Sequence, residues 1–409
     1  MNVALFSLLV LIAVIVVGFI YKINVGLLGI AFAYIIGHFF TGMKESAILD
    51  GWPLRLFFML LGMMLIFSVA RANGTLEFVA KKFSTLPYVN TKLVPWVIFF
   101  LAAVVSGVGV GPITVPAIMS PLFVEIAREE DIPENLALLM GASGAIAGGF
   151  TNLAPTGIVA HTLAAQVGVE SFMPIGIRGF LTFFSHGVIF YLLLGGLRLK
   201  NHVRDSSQKI VLEKKQLLTL IVIITVIIAI LVFKLDIGFA AFTGYAILLL
   251  FNVGDQDKAI AGISWGTLFL ICGVSILVNV VKVSGGIDAV SKFLTAFMNE
   301  RSAATIMTVL AGLMSSVSSA TGVVMPTLIP TLPGIAAELG AAVSVQTLVT
   351  AVVIGSLVVP YSPLSTVGAF LMGAASERSD KHALFTQLLI VAFSLLVLTS
   401  CFFWAGVYN

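Results

Sequence analysis

The feature that most constrains this chain is a series of apolar runs of about twenty residues, the length at which a helix crosses the hydrocarbon core of a bilayer. Clean runs cover residues 3–20, 25–41, 54–70, 172–197, 217–233, 238–253, 260–281 and 384–404. Four further stretches are as apolar but are cut by Gly and Pro: 94–127 and 135–167 in the first half, 303–339 and 345–375 in the second. Only 10% of the 409 residues are charged, 59% are hydrophobic, and the mean hydropathy is +1.12. Soluble domains carry about a quarter charged residues. The pattern predicts an all-α integral membrane protein with the lipid bilayer as its solvent. A net charge of +3, spread along the chain, excludes a nucleic-acid partner. Cys272 and Cys401 both lie in apolar segments, which argues against a disulfide, and two thiols cannot build a zinc site. Residues 1–20 have no basic leader or small-residue cleavage site and read as a first membrane helix.

Basic residues set the expected topology. Arg71, Lys81, Lys82 and Lys92 form one cluster, and residues 198–215 hold Arg198, Lys200, Arg204, Lys209, Lys214 and Lys215. Both fall on the cytoplasmic side if Met1 starts outside and 94–127 enters and returns as a hairpin. Each half then crosses five times, about ten crossings plus two re-entrant hairpins in all, and both termini lie outside. An odd number of crossings inverts the second half. The expected organisation is a first inverted repeat at 1–197, a cytoplasmic linker at 198–215 and a second repeat at 216–409. Similarity between the halves supports it. Ser106-Gly107-Val108-Gly109 with Pro116 matches Ser316-Val317-Ser318-Ser319 with Pro326 at an offset of 210. Phe150-Thr151-Asn152-Leu153 with Gly157 matches Tyr361-Ser362-Pro363-Leu364 with Gly368 at 211, as Asn73-Gly74 matches Ser284-Gly285.

A broken helix in lipid leaves N–H and C=O groups without partners, so breaks survive where protein or a wet cavity satisfies them. Paired breaks in two inverted halves point to a solute site. A half-helix starting in mid-membrane aims bare N–H groups and about half a positive charge at that site, which suits an anion. Carbonyls freed at a break, with nearby hydroxyls, suit a sodium ion. The candidates are Ser106, Gly107, Thr114, Thr151, Asn152 and Thr156 in the first half, and Ser316, Ser318, Ser319, Thr321, Ser362, Ser365 and Thr366 in the second. A coupling sodium would sit near Ser106, Gly109, Asn152, Ser316 or Ser362. Any single hydroxyl in a membrane helix more often bonds a carbonyl of its own helix or fills a close contact. Four duplicated clusters, each beside Gly or Pro, favour a site. No Asp or Glu falls in the middle of a span, which counts against a cation antiporter. No Lys or Arg lies inside either break, so hydroxyls and helix N-termini are expected to hold the anion unaided. His161, just past the first break, is expected to be a packed histidine. No nucleophile-plus-base pair, metal cluster or phosphate loop is present, so no enzyme activity or organic cofactor is expected.

Several blocks resemble one known family. Ile23-Asn24-Val25-Gly26, Asp50-Gly51-Trp52-Pro53, the block from Phe67 through Ala70-Arg71-Ala72-Asn73-Gly74-Thr75, Pro95-Trp96-Val97 and the run from Gly148 to Pro155 are similar to the malonate/dicarboxylate carriers. So is Ser362-Pro363-Leu364-Ser365-Thr366. That family belongs to the ion transporter superfamily, with the divalent anion/sodium symporters as a distant branch. The resemblance implies secondary transport of a small dicarboxylate, elevator-type alternating access, a homodimer, and a place in the cytoplasmic membrane of a prokaryote. Where the symporters carry Ser-Asn-Thr at each hairpin tip, this chain has Ser106-Gly107-Val108 and Ser316-Val317-Ser318. The serines carry over and the asparagines do not, which leaves sodium and proton coupling both open. An antiporter or oxyanion transporter on the same fold, or the membrane subunit of a partner-dependent system, are the competing expectations.

Overall fold

The computed structural model describes residues 3–84, 90–200, 211–340, 343–375 and 380–408. Most of the expected linker and residues 376–379 lie outside the described residues, which are helical with no strand among them. The first half runs α1 (Val3–Tyr21), α2 (Val25–Tyr34, extended by a π turn to Phe40), α3 (Glu45–Leu49), α4 (Leu54–Ala72), α5 (Thr75–Ser84), α6 (Val94–Val105), α7 (Thr114–Glu129), α8 (Glu134–Gly148), α9 (Pro155–Gln166) and α10 (Met173–Leu193). The second half runs α11 (Lys214–Leu231), α12 (Ile237–Leu250), α13 (Gln256–Ala261), α14 (Trp265–Val283), α15 (Gly286–Thr295), α16 (Ala303–Val317), α17 (Met325–Leu328), α18 (Leu332–Leu339), α19 (Val345–Val358), α20 (Thr366–Ala374) and α21 (Lys381–Trp404). Eight helical segments among the described residues are long and apolar enough to cross a membrane, and four shorter apolar ones accompany them.

Polar caps stand just before the apolar runs and set where helices begin. Asn24 and Asp236 accept backbone N–H bonds at the starts of α2 and α12, and Asp255, Ser344 and Asp380 do so for α13, α19 and α21. Glu213 and Gln216 form a capping box, so α11 starts at Lys214, inside the stretch expected to be linker. The apolar run at 260–281 is not one helix: α13 ends at Ala261 and α14 opens at Trp265.

Element order repeats with an almost constant separation. Helices open at 54 and 265, 75 and 286, 114 and 325, 134 and 345, and 155 and 366, a spacing of 211 residues each time. The contacts repeat in exchanged form. Helix α4 packs on α12 while α14 packs on α2, and α5 touches α11 while α15 touches α1. Small residues make these crossings close. A Cβ on Gly26 would collide with the Phe269 carbonyl of α14, and one on Gly62 would sit 2.9 Å from the Gly238 carbonyl of α12. Polar contacts exchange too: Asn73 donates to Thr219 at 2.7 Å, and Ser284 meets Ser7 at 2.6 Å. Each half therefore completes the other. Helices α1–α5 with α11–α15 make a first bundle. Helices α6–α10 with α16–α21 make a second, built around α6 on α8 and α16 on α19. Its interior includes Phe99, Phe123, Phe183 and Tyr361, all fully buried.

Candidate functional site

Local chemistry shapes both breaks in the same way. Helix α8 ends at Gly148 and α9 starts at Pro155, whose missing N–H costs nothing in a first turn. Helix α19 ends at Val358, and Pro360 and Pro363 flank the gap before α20. Between them the backbone repeats bond for bond. Thr151 N donates to Gly148 O at 3.2 Å and Ala154 N to Thr151 O at 3.2 Å. Ser362 N donates to Val359 O at 2.8 Å and Ser365 N to Ser362 O at 2.9 Å. A Cβ on Gly157 would strike the Thr151 carbonyl, and one on Gly368 the Ser362 carbonyl.

The two hairpin tips differ. The first turns through Ser106–Val110, with Gly109 at φ 131° seated against Met63 and Phe67 of α4, where any Cβ would collide. In the second, Ser318 is extended and Ser319 accepts from Gly322 N at 3.1 Å, heading a π turn over Ala320–Val324. The second tip faces a cavity of about 880 Å³.

That cavity lies between the bundles. It is lined by the second hairpin (Ser315, Ser316, Ser318–Thr321), the second break (Pro360, Leu364–Val367), the start of α14 (Gly266, Thr267, Leu270), the α1–α2 connection and, from the first half, Pro112, Ile113, Ile146 and Thr156. The structure therefore brings together Thr156, Ser316, Ser318, Ser319, Thr321, Ser365 and Thr366. It does not bring Ser106, Gly107, Gly109, Thr114, Thr151, Asn152 or Ser362 to the lining. Thr151 donates to the Gly107 carbonyl, and Asn152 beside it is exposed. Ser362 is buried and accepts from Leu364 N at 3.3 Å. Ser106 is fully buried with an Oγ that finds no partner among the described residues.

Hydrogen bonds divide the lining hydroxyls by what they can still do. Ser316 and Ser318 donate back to Leu313 O and Met314 O at 2.6 and 2.7 Å, so they present lone pairs rather than a proton. Ser365 caps α20, accepting from Gly368 N at 3.3 Å while donating to the Pro360 carbonyl. The hydroxyls of Thr156, Thr321 and Thr366 make no hydrogen bond within the described residues and are free to donate to a solute. Thr366 and Thr156 also open helices, where first-turn N–H groups have no acceptor in their own helix. His161 packs on Phe172, ring centroids 5.7 Å apart, and is not part of the lining. The cavity holds no carboxylate among its lining residues.

The cavity has one ionisable lining residue among those described, Lys22, although no basic side chain is expected at the site from the sequence. It comes from the α1–α2 connection, with Asn24, whose Nδ2 donates to Gly266 O at 2.7 Å. A sequence signal for this element exists: Lys22-Ile23-Asn24-Val25-Gly26 recurs as Lys234-Leu235-Asp236-Ile237-Gly238.

The geometry is uneven between the halves. Both hairpin tips pack on a long helix of the first bundle, the first on α4 and the second on α14 at Leu270; α9 packs on α4 as well, whereas the cavity stands between α20 and α14.

Residues 1–149 match the family model described as the N-terminus of dicarboxylate carrier protein MatC. The match runs through the first bundle's share of the first half, the first hairpin and α8 up to its break. No curated protein matches the chain. With eight apolar helical segments of membrane-spanning length among the described residues, the match supports a multi-pass membrane protein whose first 149 residues are similar to the N-terminus of a dicarboxylate carrier.

Proposed function

We propose that the protein is a secondary transporter of a small dicarboxylate. The observation that carries this is the cavity between the bundles, where free threonine hydroxyls and two helix starts converge and no carboxylate competes for them. Two carboxylate groups suit two such donor clusters, Thr366 with Thr321 on one side and Thr156 on the other. The match of the first 149 residues to a dicarboxylate carrier model points to the same solute class.

Movement follows from the uneven packing. With the halves inverted in the membrane, an exchange of their roles closes α20 on α14 and opens α9 from α4. The second bundle would then slide along the first and carry the solute with it, the elevator motion. Reciprocal crossings such as Gly26 against α14 and Gly62 against α12 keep the first bundle as a fixed frame. If Arg71 and Lys92 face the cytoplasm, so does the α1–α2 connection, and this state is open inward. A homodimer belongs to the same reading.

A coupling sodium fits the first hairpin tip best. Ser106 Oγ is buried without a partner, a costly condition that a cation ligand would relieve. There Ser106 and adjacent backbone carbonyls would hold the ion, whose charge would favour a nearby anion.

Thermal stabilisation of the purified protein tests the reading, screened across malonate, succinate, malate, citrate and sulfate with and without sodium. Stabilisation by dicarboxylates, enhanced by sodium, is expected. Stabilisation by sulfate alone, or by a cationic or neutral solute, overturns the dicarboxylate assignment.

A further inference from the structure

The two lysines that close α1 and α11 carry an inference that rests on the proposed transport but reaches beyond it. Lys22 follows the last turn of α1 at φ 54°, and Lys234, 212 residues later, follows α11 at the same φ of 54°. This is the left-handed position just past a helix, which glycine fills without strain and a side chain does not. Only four non-glycine residues among those described take positive φ, and these two are the matched pair in the repeat.

Their surroundings match as well. Asn24 accepts from Gly26 N at 2.9 Å, and Asp236 accepts from Gly238 N at 2.9 Å. Across the bundle, Asn24 bonds the Gly266 carbonyl at 2.7 Å, while Asp236 pairs with Arg55, which stands 211 residues before Gly266, at 3.2 Å. Each connection is thereby pinned to the start of the long helix of the other half. Among the described residues, Lys22 is the sole ionisable side chain lining the cavity, and no carboxylate lines it. Lys234 is exposed at the equivalent place on the side where the bundles are packed together.

We propose that Lys22 and Lys234 are alternate anion-recruiting residues, one at each mouth of the pathway, each serving the cavity only when its own side is open. A cation beside the mouth raises the local concentration of a dianion and donates to it before the hydroxyls do. Glycine would cap both helices with less strain, so the charge is the property that keeps lysine there.

The helix-cap alternative makes an opposite prediction, because a lysine kept for the helix dipole would stabilise the fold. The test uses the purified full chain as wild type, Lys22→Gly and Lys22→Arg, with malonate, succinate, sulfate and phosphate as probes in thermal shift. Lys22→Gly should melt no lower than wild type without anion and should lose about tenfold in anion affinity, while Lys22→Arg keeps it. In proteoliposomes, Lys22→Gly should raise KM for malonate from one face and Lys234→Gly from the opposite face. Equal affinity in wild type and Lys22→Gly overturns the lysine assignment and leaves dicarboxylate transport standing. Binding of sulfate but not dicarboxylates, lost in Lys22→Gly, overturns the dicarboxylate reading and keeps the lysine. A lower melting temperature in Lys22→Gly with unchanged KM from both faces, or no stabilisation of wild type by any anion, overturns the proposal.

Discussion

Ser365 and Thr366 are adjacent, yet the structure gives them different work, and replacing each by alanine separates fold from binding. Ser365 Oγ accepts from Gly368 N at 3.3 Å and donates to the Pro360 carbonyl, so it holds the gap closed and caps α20. Loss of an N-cap costs about 1 kcal/mol, within a range of roughly 0.5–2. Thr366 is exposed, lines the cavity and spends its hydroxyl on no protein group among the described residues. Its loss should leave the fold intact and remove one hydrogen bond to a charged solute, worth about 1.5–3 kcal/mol, or about ten- to a hundredfold in affinity. The assay is melting temperature and malonate affinity on the same two purified variants. Thr366→Ala should melt with the wild type and bind weakly. Ser365→Ala should melt lower and lose affinity as well, because the helix start it organises is displaced. If Thr366→Ala binds as tightly as wild type, the free hydroxyl is no solute ligand and the division of the site fails.

Three other outcomes follow from named contacts. Gly157→Ala and Gly368→Ala each drive a methyl into a carbonyl of the break, so both should cost about 1–3 kcal/mol of stability; normal melting of either would show that the breaks are looser than their shared hydrogen bonds indicate. Ser106→Ala removes a buried hydroxyl without a partner and should melt at or above wild type in sodium-free buffer, while sodium should lose its stabilising effect; an unchanged sodium response excludes Ser106 as a ligand. Exchange of roles between the halves maps the contact of Gly109 with Phe67 onto Ala320 with Val278, each 211 residues on. A double cysteine variant at 320 and 278, with Cys272 and Cys401 replaced, should therefore cross-link only when the protein is trapped with its opposite mouth open; the same yield under all conditions contradicts the motion.

Much of this architecture is present in the order of residues alone. Apolar length dictates membrane helices, because a backbone in lipid must bond to itself. Breaks are dictated as locally: Pro155, Pro360 and Pro363 lack an N–H, and Gly157 and Gly368 admit a carbonyl where a methyl cannot go. Since those causes lie within a few residues, both breaks and their duplication are legible without coordinates. The end of α13 at Ala261 was not, because Gly262 and Ser264, which cap the two helices there, are residue types that membrane helices also carry in their interior. Nor could spacing tell which hydroxyls meet the solute. Ser106 and Ser362 look like Thr156 and Thr366 in sequence, but packing keeps the first pair away from the cavity lining and places the second pair in it. That sorting depends on how two bundles built from exchanged halves lie against one another. It also decides why Lys22, ninety residues upstream of Pro112, reaches the site while Lys234 in the same motif does not. Local chemistry writes the two breaks alike; the position of one bundle along the other is what gives them different surroundings.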